Sequence, residues 1–191
     1  MTTGTLHRQD TVIPSGTWTV DPAHSKIGFA VRHVGVATVR GEFREFYGAL
    51  EVGQTLAESR AYGTVKTGSV DTNQDQRDAD LRSDDFFAVE TYPEMSFEST
   101  KIERLDDERL RIVGDLTLHR VKREVELEAE LGGVVTGPEG EQRVGLEVTG
   151  QLSRREFGMR FDADLGSGNT VVSDKVKLAL DITAVRGEDG A

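Results

Sequence analysis

Residues 124–131 read EVELEAEL, and no other stretch of the chain narrows the choice of fold as far. Val125, Leu127, Ala129 and Leu131 share one parity, and Glu124, Glu126, Glu128 and Glu130 share the other. A period of two sends successive side chains to opposite faces of a strand, so one face is apolar and the other wholly charged. Such a strand belongs in an antiparallel sheet with one side in water. The period returns in residues 110–118, 144–152 and 176–182, and again in 27–33, where Ile27, Phe29, Val31 and His33 fall on one parity. Further strand-like runs occupy 17–20, 36–43, 48–52, 61–70 and 95–102, with Gly53, Gly132–Gly133 and Thr136, Gly137 and Pro138 supplying turn chemistry. Only residues 72–83 (TNQDQRDADLRS) break the pattern, and a short helix is predicted there with Asp71, Thr72 or Asn73 as its cap.

Eight or more strands, each apolar on one side, must bury those sides together. A single extended antiparallel barrel of about eight strands does so and also removes the exposed sheet edges; a two-sheet sandwich is the alternative. Gly114, Ala129 and Gly150 lie on the inward parity among larger residues. They mark either an empty bore, of the kind that holds one ligand in a barrel of this size, or close backbone packing.

The length of 191 residues suits one domain, read as a body over 17–185 with tails at 1–16 and 186–191. Residues 1–16 are polar and hold no apolar stretch of the kind an export signal needs, so a cytoplasmic protein is expected, and no window reaches the length of a membrane span. The chain has no cysteine, which excludes disulfide scaffolds, thiolate zinc sites and thiol nucleophiles. A net charge of −11 argues against a nucleic-acid-gripping surface and against docking on anionic lipid headgroups.

Catalytic and metal motifs are missing. Residues 165–169 (LGSGN) have the wrong spacing for a nucleophile elbow, and no phosphate-binding loop occurs. Asp71, Asn73 and Asp75 open like a calcium loop, but Gln76 and Arg82 stand where glycine and glutamate are needed. Of the four histidines, His7 lies in the tail, and His24, His33 and His119 show no zinc spacing. Parity aims His33 at the interior, as a hydrogen-bonded structural histidine or a ligand contact. His119 ends a strand, where a position at the barrel mouth is open to it. Arg77, Asp78, Arg82, Asp84 and Asp85 form the densest polar cluster, read either as a rim that holds an anionic headgroup or as a solvated helix face.

Several blocks carry more than periodicity. They are WTVDPAHS from Trp18 to Ser25 with Ile27 and Phe29, VRGEF from Val39 to Phe43, SVDT from Ser69 to Thr72, RDADLRS from Arg77 to Ser83 with Asp85, Phe86 and Phe87, YPEMSFEST from Tyr92 to Thr100, GDLTLH from Gly114 to His119, and REFG from Arg155 to Gly158. In their order and spacing the chain resembles the YceI-like family over residues 17–185. The resemblance implies a lipocalin-like extended barrel with a long apolar tunnel that binds polyisoprenoids or similar amphiphiles, without catalytic apparatus or cofactor, often as a homodimer. After His119 the family usually continues with glycine and a Thr-basic-Pro-Val run. Here the chain reads Arg120, Val121, Lys122, Arg123, Glu124 and Val125, which puts an unusual residue at a turn.

The expected function is therefore binding, transport or storage of a long-chain isoprenoid, of the polyprenyl pyrophosphate or isoprenoid quinone type, in an apolar barrel tunnel. The expected walls are Phe29, Val31, Phe43, Phe86, Phe87, Phe97, Leu116, Leu118, Leu146, Val148 and Phe157, and the expected headgroup contacts are His33, Arg77, Arg82 and His119. Phe86 and Phe87 cannot both face inward if they share a strand. A fatty acid or fatty amide in the same tunnel, a filled structural barrel linked to stress, and a lipid-modifying enzyme using His33 or His119 as base are the alternatives.

Overall fold

A computed structural model describes residues 13–163 and 171–188; His7 and the 165–169 loop lie outside them, as do residues 1–12 of the first expected tail and 189–191 of the second. In chain order the elements are β1 (Gly16–Val20), β2 (Lys26–His33), β3 (Ala37–Phe43), β4 (Phe46–Val52), β5 (Arg60–Lys66), β6 (Val70–Asp71), α1 (Asp75–Arg82), β7 (Glu94–Arg104), β8 (Arg109–Leu118), β9 (Val121–Thr136), β10 (Gln142–Ser153) and β11 (Val172–Arg186). β1, β4, β5, β7, β8, β9, β10 and β11 follow one another around an antiparallel barrel that closes by pairing β1 with β11. β2, β3 and β6 extend the sheet from β11. The sandwich alternative is thereby removed.

β1 and β2 lie one after the other along β11: Trp18, Thr19 and Val20 face Arg186, Val185 and Ala184, while residues from Lys26 onward face Asp181 and its predecessors. A 3-10 turn, Pro22–His24, separates the two strands. The Asp21 carboxylate secures it by accepting from Ala23 N at 3.0 Å and Arg143 Nη1 at 3.0 Å, with His24 Nδ1 2.8 Å away. The hydrogen bond with His24, and next that from Arg143, hold the Asp21 carboxyl below the usual carboxylate range.

The alternations become faces as the period requires. Val125, Leu127 and Ala129 are buried in β9 while Glu124, Glu126, Glu128 and Glu130 are exposed, and Leu110, Ile112, Gly114 and Leu118 are buried in β8. The inward glycines do not open space where two of them were marked. A Cβ on Gly114 would lie 2.5 Å from the Phe97 ring, and one on Gly150 would lie 2.6 Å from Leu127 Cδ2. Both are sites of close packing. Gly132 and Gly133 do not form the expected turn either. They lie inside β9, where Leu131 faces Leu146 and Gly133 faces Gly145, leaving Gly132 as the extra residue of a bulge.

The helix is shorter than the predicted 72–83, and Gln74 caps it by accepting from Arg77 N. The three expected caps are otherwise engaged: Asp71 accepts from Asn73 N and Arg44 Nε, Thr72 bonds Asp78, and Asn73 has φ 61°. The packed body also begins earlier than residue 17, because Ile13 is only 8% exposed within the core around Trp18. At the other end β11 continues to Arg186, which donates to Gln142 Oε1 at 2.8 Å.

β8 and β9 are joined through His119 and Arg120, whose φ values of 53° and 56° place two side-chain-bearing residues in the left-handed region that a tight hairpin turn requires. Glycine at the second position relieves that strain. Arg120→Gly is expected to raise unfolding free energy by about 0.5–1 kcal/mol, after loss of the exposed Arg120 contact over the Tyr92 ring, 5.7 Å from its centroid. Urea denaturation of the two proteins checks it.

Candidate functional site

Two buried clusters fill much of the barrel. One packs Trp18, Ile13, Leu110, Ala129, Val144 and Ala184 where β1 begins and β11 ends; the other packs Phe43, Val70, Phe87, Leu118, Val125, Phe157 and Met159 towards the opposite end. Between and beside them lies a cavity of about 270 Å³. Its walls come from nearly every strand of the sheet and from the segment after α1, and Arg154 is the one charged residue lining it among the described residues.

Most of the expected wall is found there. Phe29 and Val31 of β2, Phe43 of β3, Phe97 of β7, Leu116 and Leu118 of β8, and Leu146 and Val148 of β10 all line the cavity. So do both Phe86 and Phe87, because they sit in a turn after α1 where the strand alternation does not apply. The Phe87 ring stands edge-on to Phe43 with centroids 5.5 Å apart, which fixes this segment over the barrel. Phe157 is the exception. It is fully buried in the 3-10 turn Arg155–Phe157 and packs in the second cluster without lining the cavity.

The four expected headgroup contacts do not line it. His33 has the right parity but is the last residue of β2, paired with Ala37 in a hairpin that runs past the wall, and it is exposed. Arg77 donates through Nε to Thr72 Oγ1 at 2.7 Å and through Nη2 to Thr72 O at 2.8 Å. Arg82 donates to Gly68 O and Val70 O, each at 2.9 Å. Both arginines thus fasten α1 to the chain before it. Buried Asp78 completes the arrangement by accepting from Thr72 N at 2.8 Å and Thr72 Oγ1 at 2.5 Å. His119 packs its ring 4.7 Å from Tyr92, and its Nε2 is buried without a hydrogen-bond partner.

Two features of the wall escaped the sequence reading. The first is a facing pair of glycines, Gly48 in β4 and Gly63 in β5. Their neighbours along each strand on the same parity, Leu50 and Phe46, Ala61 and Val65, line the cavity with them. A Cβ on Gly63 would meet only backbone within 4 Å: Tyr47 O at 3.1 Å and Gly48 Cα at 3.7 Å. Here, unlike at Gly114 and Gly150, no side chain covers the glycine, so the wall is bare backbone. The two residues lie in runs read only as strand-like, and the register is what makes them a pair.

The second feature is Arg154, 2% exposed at the end of β10. Its Nε donates to Ser173 O at 3.0 Å, Nη1 to Met159 O at 2.7 Å and Nη2 to Val172 O at 2.9 Å. Burial, and next the adjacent Arg155 charge, pull its pKa below the usual value for arginine. In sequence it is one of two adjacent arginines, and nothing local tells which is buried. Among the described residues no group of three or more His, Asp or Glu side chains could hold a metal ion, and no helix is long and apolar enough to cross a membrane.

Comparison with known proteins agrees with this geometry. The barrel is similar to BcnA of Burkholderia cenocepacia, with a TM-score of 0.75 at 18% identity over 86% of this chain and 98% of that one. It is also similar to a polyisoprenoid binding domain from Saccharophagus degradans implicated in plant cell wall breakdown, with a TM-score of 0.69 at 16% identity over 89% and 98% of the two chains. In sequence it is 38% identical over 164 residues to the UPF0312 protein plu2095 of Photorhabdus laumondii, covering 85% of this chain and 82% of that protein. The family model for the YceI-like domain matches residues 18–184, from the buried Trp18 of the first strand to the buried Ala184 of the last, and the chain belongs to that family.

Proposed function

We propose that this protein binds a long-chain isoprenoid in the barrel cavity and acts as its carrier or store, without chemical change to the ligand. The observation that carries this reading is the cavity itself, a space bounded mostly by apolar side chains with a single charged residue among the described ones. Such a wall offers a hydrocarbon chain the loss of its water contact, about 0.8 kcal/mol per CH₂. One isoprene unit then contributes a few kcal/mol before ordering costs, roughly enough for a handful of units to give tight binding. The similarity to a domain described as polyisoprenoid-binding supports the same class of ligand.

Purified protein extracted with chloroform and methanol is expected to release a prenyl lipid detectable by mass spectrometry, and the stripped protein to bind added geranylgeraniol. Recovery of a fatty acid or fatty amide, with prenyl chains failing to bind, would transfer the chamber to straight-chain lipids. No extracted lipid and no binding of either class would overturn the carrier reading.

A further inference from the structure

The chain carries a net charge of −11, yet one part of its outer surface is basic. Arg32 of β2, Arg40 of β3, and Lys175 and Lys177 of β11 are all exposed. The register groups them: Arg40 and Lys177 face Ala30 from opposite sides, and Arg32 lies two residues further along β2. Among the described residues none of the four is in an ion pair, whereas Lys26 and Arg44, at the other end of this face, both pair with Glu42. Asp174, next to Lys175 in the chain, is engaged by Ser153 Oγ at 2.7 Å and Arg155 N at 3.0 Å. The glutamate ladder of β9 stands two strands away from β11, about 10 Å.

The same two strands, β2 and β3, end in a tip ill suited to water. Val34 and Val36 are 38% and 81% exposed. Val34 also holds φ 54°, a conformation that strains a β-branched side chain. Asparagine there would relieve the strain and suit the solvent, so folding does not account for valine at this turn. Val34 N donates to Val171 O at 2.9 Å, which fixes the tip beside Val172, and Val172 and Val31 line the cavity. We propose that this hairpin and its basic face form a docking surface for an anionic lipid bilayer. The two projecting valines enter the acyl boundary while Arg32, Arg40, Lys175 and Lys177 sit among lipid phosphates. An acidic protein partner would match the cations but gives no place to an apolar tip that projects beside them. The net charge opposes approach only at long range, because charges more than about 8 Å away are screened at physiological ionic strength. Docking in this way brings one end of the cavity against the membrane, and it holds whatever lipid the cavity takes.

Flotation of the full chain with vesicles tests it, using phosphatidylcholine alone and phosphatidylcholine mixed with an equal part of phosphatidylglycerol. The mixed vesicles are expected to bind at least about tenfold tighter, and about 1 M NaCl to remove most of that preference. Arg40→Gln combined with Lys177→Gln should weaken binding to the mixed vesicles by about thirtyfold. Val34→Asn combined with Val36→Ser should weaken it about tenfold, with resistance to urea equal or higher because the strained residue is gone. Lys101→Gln, which removes an exposed cation of β7 paired with Glu103, should leave binding unchanged. Absence of binding by the natural chain, or equal binding to both kinds of vesicle, would overturn the proposal whether or not the variants fold. So would a loss with Lys101→Gln as large as with the paired glutamine variant. A dimer in light scattering that the paired glutamine variant dissolves, without vesicle binding, would overturn it too and give the face to a second copy of the chain. No prenyl probe is present in the flotation, so its failure leaves the cavity reading standing.

Discussion

Gly63→Leu should fold normally and lose long-chain prenyl binding by about a hundredfold. The bare backbone at Gly63 is a part of the cavity wall where no neighbouring side chain covers the glycine. A Cβ at Gly63 approaches only Tyr47 O at 3.1 Å and Gly48 Cα at 3.7 Å, so it asks the facing strand to give by a few tenths of an ångström. Everything beyond that Cβ extends into the cavity. Displacing three or four methylene-sized portions of ligand at about 0.8 kcal/mol each gives roughly 2–3 kcal/mol of lost binding. Stability should hold or rise slightly, since glycine inside a strand weakens it and the new side chain is itself buried. Gly48 is the poorer place for this experiment, because a Cβ there would lie 2.7 Å from Tyr62 O. Titration with geranylgeraniol, beside urea denaturation of both proteins, separates loss of space from loss of fold. Unchanged affinity in a folded Gly63→Leu protein would show that the ligand does not occupy this cavity.

Trp18→Ala should cost about 3–5 kcal/mol of stability. Trp18 is completely buried, and its Nε1 donates to Pro14 O at 2.9 Å. It sits in the short strand that closes the barrel, facing Arg186 on one side and Leu50 on the other. The substitution therefore leaves a large void and also an acceptor at Pro14 without its donor. Trp18→Phe separates the two effects, since it keeps most of the ring volume and removes the donor, with an expected cost nearer 1–2 kcal/mol. Equilibrium unfolding in urea reads both. A loss below 1 kcal/mol for the alanine variant would mean that this end of the barrel collapses around the void.

These two residues mark how far the sequence could be read. The strands around Val125, Leu146 and Leu178 were legible because each alternates against charged or small residues, and a period of two leaves one way to bury the apolar side. Ten of the eleven wall residues followed from that parity and from the family blocks. Parity fails where a strand ends or bends. It carried His33 inward past the last point where there is an inside, and it has no say at Phe86 and Phe87, which sit in a turn and both line the cavity; the glycine pair read as turn chemistry instead holds the inserted residue Gly132. The Arg77 and Arg82 cluster failed for another reason. Spacing shows that two cations share a helix, but their hydrogen-bond acceptors at Thr72, Gly68 and Val70 are backbone and side-chain oxygens that only the tertiary structure brings near. The Gly48–Gly63 recess needed strand register, which local pattern does not contain.

The seam of the barrel has a consequence for how the chain reaches this state. The first strand and the last are joined by only three residue pairs, and β11 also supplies the edge on which β2 and β10 lie. Contacts between Trp18 and Arg186 span almost the entire sequence, so closing this loop is entropically the most expensive pairing in the molecule. Until β11 is in place the chain has two unpaired edges, one on β10 and one on β1 and β2, each able to recruit a wrong partner. The barrel thus closes only once β11 is in place, because that one strand pairs with β10 on one side and with β1 and β2 on the other.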